Sequence, residues 1–343
     1  MEQVKGLEYS ELNAEELVAF IEVRAKLNAI KEERNCRRDT ICIWGDAGIG
    51  KTEIVKGLKD RGFKVRAVNP AQMEEMGDFT GLPVEEYRDV HQCKKCGAIY
   101  ENNNITKCTA KDCKGELKET QLGTTVMLPP AFIPKESGPG ILLFDDFNRA
   151  DIRIIRGTMQ IWQDYGSYAW TIPKGWTLIM TANPEGTDAG YIVTSMDPAM
   201  LTRLVHVALK PDVKAWARWA ENAEVDTRGI NFLLKNEELA TNGNRTNFRT
   251  WTQFFDFTKH FVPKIPTVKN PKKDVFDIKK LDEREMEVIN FIYRHGCGSI
   301  DKECVTQFIM FVAGEAELII EPEKILNEFD DKIRKHLQLM GEE

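Results

Sequence analysis

The stretch Gly45-Asp46-Ala47-Gly48-Ile49-Gly50-Lys51-Thr52 decides how this chain is read. It fits G-x-x-x-x-G-K-[ST], a loop whose backbone N–H groups wrap a polyphosphate. Before it runs Thr40-Ile41-Cys42-Ile43-Trp44, an apolar run suited to a buried strand. After it, Glu53-Ile54-Val55-Lys56-Gly57-Leu58 reads as the start of a helix, which puts a helix N-terminus at the anion. In such a loop Gly45, Asp46, Ala47, Gly48, Ile49 and Gly50 supply the backbone cradle. Lys51 reaches the β- and γ-phosphates, and the Thr52 hydroxyl binds Mg²⁺. A chance match in a glycine-rich turn is the alternative, and the flanking strand and helix weigh against it.

Two further apolar runs end in polar residues. Ile141-Leu142-Leu143-Phe144 leads into Asp145-Asp146. Asp145 is expected to hold Mg²⁺ through water, and Asp146 to orient or deprotonate the attacking water. Read without the loop, they are two solvated acids at a strand end. Trp176-Thr177-Leu178-Ile179-Met180-Thr181-Ala182 ends at Asn183, a polar tip suited to holding the lytic water; alone, Asn183-Pro184 is a turn signal.

With 343 residues the chain has room for one large or two modest domains with a real core. A net charge of −7 argues against a protein whose whole surface grips nucleic acid. No apolar run reaches membrane-spanning length. The opening Met1-Glu2-Gln3-Val4-Lys5 lacks the apolar core of a signal peptide, so a cytoplasmic location is expected.

Four of the eight cysteines cluster as Cys93-x2-Cys96 and Cys108-x4-Cys113. Two short thiol pairs on facing turns make a four-thiolate site, the pattern of structural zinc. Four thiolates leave no open position, so the metal is expected to be structural. Two disulfides are the alternative, disfavoured in a reducing cytosol. His91 is a substitute ligand or a surface residue. Cys36, Cys42, Cys297 and Cys304 sit in apolar or helical contexts and read as ordinary thiols.

Residues 11–34 carry apolar side chains at helical spacing and predict an opening helix, the segment 1–34. Strands are expected near 40–44, 63–69, 141–145, 176–182 and 203–209. The alternation with helices predicts an α/β fold: a P-loop NTPase parallel five-stranded sheet flanked by helices, spanning 35–210. The polar segment 84–128 reads as an insertion bearing the cysteines. Residues 211–343 read as an all-α lid domain, its aromatics (Trp216, Trp219, Phe232, Trp251, Phe254, Phe255) forming a core. Residues 263–280 read as an exposed loop, and 281–338 as helical.

The chain also resembles MoxR-like AAA+ ATPases, which border the dynein-related ATPases. Asp145-Asp146-Phe147-Asn148-Arg149-Ala150 is similar to the family's D-E-x-N-R-A, and Gly77-Asp78-Phe79-Thr80-Gly81-Leu82-Pro83 to its D-x-x-G-x-P segment. Asp164-Tyr165-Gly166, Ile172-Pro173 and Gly175-Trp176 resemble the hairpin before the third site strand. Thr181-Ala182-Asn183-Pro184 resembles the sensor-1 segment, with Asn183 as its asparagine. Asp197-Pro198-Ala199-Met200-Leu201-Thr202-Arg203 resembles the helix ending in an arginine finger, and Asn247-Phe248-Arg249-Thr250-Trp251 the lid motif whose arginine is sensor 2. The likeness covers about residues 35–320. It implies an ATPase that works as a homo-oligomeric ring, usually a hexamer. ATP then sits between subunits, with Arg203 touching the neighbour's γ-phosphate and Arg249 sensing phosphate from the lid. Otherwise Arg203 is a helix-end cation and Arg249 a lid salt bridge, with Arg245 as a competitor. The chain departs from the family in having Asp146 in place of Glu, and in carrying the cysteine insertion.

The resemblance implies remodelling of a client protein, with a von Willebrand factor A-type protein as the partner class. A second reading is a nucleic-acid-dependent motor or loader using Lys94, Lys95, Lys107, Lys111, Lys114 and Lys118 around the cysteines. Against it, only Tyr100 there offers a stacking surface. A third is a slowly hydrolysing assembly switch, favoured by the shorter Asp146.

Overall fold

The computed structural model describes residues 9–101, 105–185, 192–243, 245–261 and 283–313. The chain opens with β1 (Ser10–Leu12), α1 (Ala14–Glu33), β2 (Thr40–Trp44), α2 (Lys51–Gly57) and β3 (Lys64–Val68). A short α3 (Gly77–Thr80) leads into β4 (Leu82–Cys93), β5 (Ile99–Tyr100) and β6 (Leu117–Leu128). Then follow β7 (Gly140–Phe144), α4 (Ile152–Gly157), α5 (Met159–Asp164), β8 (Trp176–Ala182), α6 (Pro198–Leu201) and β9 (Leu204–Leu209). Helices α7 (Val213–Asn222), α8 (Thr227–Lys235), α9 (Phe248–Phe261), α10 (Glu283–Ser299) and α11 (Lys302–Ala313) complete the described chain. None of the described helices is long and apolar enough to cross a membrane.

The main sheet has the order β1-β9-β2-β8-β7-β3, and every pairing in it is parallel. Among the described residues it has six strands where the sequence predicts five. The sixth, Ser10–Leu12, pairs with Val207–Leu209 at the edge. Three residues carry too little alternation to signal a strand; the β9 edge supplies the pairing. The opening helix accordingly starts at Ala14, not at residue 11. Asn13 caps it, its side chain accepting from Glu16 N while Glu16 accepts from Asn13 N.

Every residue of β2, β7 and β8 is buried, as expected for parallel strands covered on both faces. Alternate side chains go to opposite layers. Ile41, Ile43, Ile141, Leu143 and Ile179 pack with Leu17 and Ile21 of α1 and with the C-terminal helices. Cys42, Trp44, Leu142, Phe144, Leu178 and Met180 pack with Trp162, Tyr165 and Phe147 on the other side. The aromatics of α7–α11 are mostly core: Trp251 and Phe255 stack at 5.1 Å, and Phe254 meets Phe308 at 5.2 Å. Trp219, Phe261 and Phe291 are exceptions and are exposed. The loop expected over 263–280 and the helical pattern after residue 313 lie outside the described residues.

Strands β4 and β6 pair antiparallel over twelve residues each, from Leu82 opposite Leu128 to Cys93 opposite Leu117. At roughly 3.4 Å per residue this ribbon is about 37 Å long. Most of its side chains are exposed, so little core supports it. Its root is tied down in two ways. Gly81 has φ +94, and a Cβ there would lie 1.9 Å from the Leu128 carbonyl oxygen, so only glycine lets the two strands close. Phe79 is fully buried edge-on against Phe132 and Phe144, while Trp170 donates to its carbonyl at 2.9 Å. Phe79→Ala should lower the unfolding free energy by about 3–5 kcal/mol, as large aromatic truncations in cores do. Tyr87→Ala on the exposed ribbon should cost less than about 1 kcal/mol. Equal effects in chemical denaturation would contradict this placement of the root.

Candidate phosphate and metal sites

Strand register assembles the first site. Trp44 lies opposite Ala182 and Phe144 opposite Met180, and β2, β8 and β7 are neighbours running the same way. The residues after them, Gly45, Asn183 and Asp145, therefore emerge together at the carboxyl edge, where open α/β sheets bind ligands.

Lys51 begins α2 directly after Gly50, which has φ 99, and its side chain turns back under the loop. Only 6% of Lys51 is exposed. Its ammonium donates to Gly45 O at 2.5 Å, Asp46 O at 2.8 Å and Asn183 Oδ1 at 3.0 Å. Three donors meet three neutral oxygens. Burial pushes the Lys51 pKa down to about 8, against the pull of Asp146, Asp46 and Asp145 and with the help of Arg249. A cation removed from water and hydrogen-bonded, among the described residues, to neutral oxygens is a group that an anion would stabilise.

The acids form a connected set. Thr52 Oγ1 donates to Asp145 Oδ1 at 2.7 Å, which puts two hard oxygen donors side by side, suited to Mg²⁺. Strand β7 ends at Phe144, and Asp146 takes a left-handed conformation with φ 50 and ψ 42. Its Oδ1 accepts from Asn183 Nδ2 at 3.1 Å, and Arg149 Nε lies 3.9 Å from its Oδ2. Asn183 thus bridges Lys51 and Asp146. Two residues given no role from the sequence complete the set. Asn148, fully buried, exchanges hydrogen bonds with the Asn183 backbone: Nδ2 to O at 2.7 Å, and Asn183 N to Oδ1 at 3.0 Å. Thr181 donates to Asp145 Oδ1 at 2.6 Å and accepts from Asp146 N at 2.8 Å. The sequence signals for Thr181 are its place two residues before Asn183 and a hydroxyl in a mostly apolar buried strand.

The arginines fall in different places. Arg203 Nε donates to Gln163 at 3.0 Å and its guanidinium also meets the Ala199 carbonyl, so these hydrogen bonds go to α5 and α6 and not to its own phosphate loop. Arg249 lies at the loop: its N–H donates to Gly48 O at 3.3 Å and its charge acts on Lys51. Arg245 instead donates to Gly298 O at the end of α10. Helix α9 closes on the loop so tightly that a Cβ on Gly48, at φ +78, would lie 2.3 Å from Asn247 Oδ1.

The second site is the ribbon tip. Cys93, Cys96, Cys108 and Cys113 are free thiols whose sulfurs lie within 4.8 Å of one another. Cys93 and Cys113 are 3.7 Å apart, Cys96 and Cys108 3.4 Å. A tetrahedral metal with bonds near 2.3 Å has sulfur edges of about 3.8 Å. Tyr100 fixes one sulfur. Its oxygen accepts from Thr109 N and Ala110 N, both at 3.0 Å, so its hydrogen is left for Cys108 Sγ at 3.2 Å. That bond lowers the Cys108 pKa, and backbone N–H groups of Cys96 and Lys95 lower that of Cys93. His91 is outside the cluster, 3.7 Å from Glu119.

No protein-family model and no curated protein matches the chain. Among solved structures, it is similar to the Thermotoga maritima RuvB Holliday junction branch migration motor, with a TM-score of 0.36 and 14% identity over 70% of this chain and 62% of that one. A mutant of the same protein gives 0.41 and 12%, covering 94% of this chain and 80% of that one. NtrX from Brucella abortus gives 0.38 and 14%, covering 81% and 60%.

Gly48→Ala should strain the loop by about 1–2 kcal/mol and push Asn247 away. Hydrogen exchange at Phe248–Trp251 amides should then quicken; unchanged exchange would mean that α9 does not rest on the loop.

Proposed function

We propose that the chain is an ATPase of the AAA+ type, resembling the MoxR-like group, that works as a homo-oligomeric ring and remodels a partner protein in the cytoplasm. The observation that carries the reading is the single hydrogen-bonded set joining Lys51, Asn183 and Asp146, beside the Thr52–Asp145 pair. Residues 35–210 are taken as the ATPase core, 84–128 as its insertion and 211–343 as the lid.

In this reading the Lys51 ammonium leaves the loop carbonyls for phosphate oxygens, and the amides of Gly45–Thr52 hold the rest of the polyphosphate. Thr52 and Asp145 hold Mg²⁺, which neutralises charge on the phosphates when bound. Asp146 takes the proton of the attacking water, and Asn183, already bonded to it, orients that water. Arg203 serves the neighbouring subunit, as the resemblance implies, and Arg249 reports the nucleotide state to the helices behind it. Hexameric stoichiometry and a von Willebrand factor A-type partner follow from the resemblance alone. At the ribbon tip the four cysteines hold a structural zinc. The site fills all four positions and replaces the core that the ribbon lacks.

Lys51→Ala should weaken Mg·ATP binding at least about 100-fold, and Asp146→Asn should keep binding while losing about 100-fold in kcat. An Asp146→Asn protein with the parent's kcat removes Asp146 from the mechanism. For the ribbon, elemental analysis should find one zinc per chain, lost in Cys108→Ser together with protease resistance between residues 82 and 128. Metal-free protein carrying two disulfides would overturn the zinc assignment.

A further inference from the structure

We propose that Thr181 is a positioning residue of the hydrolytic site, its one hydroxyl orienting the Asp145 carboxylate and pinning the backbone of Asp146. The inference rests on the ATPase reading. It starts from an oddity of β8. In a strand buried at every position, only Thr177 and Thr181 carry hydroxyls. Thr177 serves Asn28 of α1. Thr181 faces the two acids, because the register that sets Met180 beside Phe144 sets Thr181 beside Asp145. A hydroxyl fully buried in an apolar strand is costly without partners, and valine has the same shape.

The direction of each bond is determined. The Asp146 N–H can only donate, so the hydroxyl oxygen accepts from it at 2.8 Å. The single hydroxyl hydrogen is then left for Asp145 Oδ1 at 2.6 Å, the short distance of a charge-assisted O–H···O⁻ bond. Thr52 donates to the same oxygen at 2.7 Å. Two donors on Oδ1 turn the carboxylate so that Oδ2 is the oxygen left for a ligand. Thr52 also has a role toward metal; Thr181 has none, so its hold on Oδ1 is independent of metal.

The second bond matters for Asp146. This residue is held at φ 50, a conformation that costs a non-glycine residue on the order of 1 kcal/mol or more. The backbone there is fixed by its N–H bond to Thr181 and by Arg149 N donating to the Asp146 carbonyl at 3.0 Å. The side chain is thereby delivered to Asn183 Nδ2. One hydroxyl therefore sets the metal-side carboxylate and the water-side carboxylate together.

The test compares the parent with Thr181→Val, which keeps shape and removes both bonds, and Thr181→Ser, which keeps the hydroxyl. In nucleotide-free protein, the Asp146 amide of Thr181→Val should exchange with solvent at least about tenfold faster, while Thr181→Ser stays within about threefold of the parent. With nucleotide, Thr181→Val should lose about 50-fold in kcat with KM within about threefold, and should need about tenfold more Mg²⁺ for half-maximal ATP binding. Thr181→Ser should recover most of both. Unchanged Asp146 exchange in Thr181→Val, or turnover and Mg²⁺ dependence within about threefold of the parent, overturns the proposal and leaves the ATPase reading standing. A Thr181→Ser protein as impaired as Thr181→Val also overturns it, because the hydroxyl is then not the cause. If the parent binds no Mg·ATP, the ATPase reading falls and this proposal falls with it.

Discussion

A buried ammonium with no counter-ion in hydrogen-bond contact among the described residues is the constraint on which the site depends. Lys51 is removed from water by the loop that carries it and is satisfied by two loop carbonyls and the Asn183 amide. Neutral oxygens replace its lost hydration only in part, and burial accordingly lowers its pKa. The carboxylates of Asp145 and Asp146 act on it from further off and are each held by other partners. The site is thus arranged around a cation that anions would stabilise further, with its acidic groups already oriented.

That arrangement is inherited from the sheet. β2, β7 and β8 are buried on both faces, so their registers are fixed by the two cores they separate. A one-residue slip of β8 would turn Thr181 and Ile179 toward the wrong layers and break the bonds that Thr181 and Asn183 make to the two acids. The ribbon obeys a different economy. Its strands are exposed along most of their length, and a two-stranded ribbon is marginal in water on its own. It is held at the root by Phe79 and Gly81, and four sulfurs converge at its tip. Phe79 packs on Phe144, the residue before Asp145, so the root of the ribbon and the acid set share one strand end.

The parts legible in sequence were those with strong local signals. The glycines and lysine of the loop, the apolar runs of β2, β7, β8 and β9 and the cysteine spacing each specify their own structure. What was not legible depends on partners distant in the chain. Ser10–Leu12 becomes a strand only because β9 offers an edge. Thr181 and Asn148 acquire their roles from register and from the return of the chain at Asn183. Nor is it legible that the Arg249 backbone, two residues past Asn247, meets Gly48 while Arg245 bonds Gly298. The polar ribbon, whose pattern suggested only an insertion, has no apolar alternation to betray its length because most of its side chains face solvent.

The most direct test of the central claim is the proton balance of nucleotide binding. A polyphosphate bound at Lys51 would raise its pKa from near 8 toward its ordinary value, so binding would draw a proton from solvent. Calorimetric titration with Mg·ATP at pH 8, in two buffers of different ionisation heat, should register uptake of about half a proton, rising toward pH 9. Lys51→Arg, charged at every accessible pH, should lose that uptake. Uptake that persists in Lys51→Arg, or Mg·ATP binding by the parent with no proton exchange, would contradict the account of Lys51 as the buried cation that receives the phosphate.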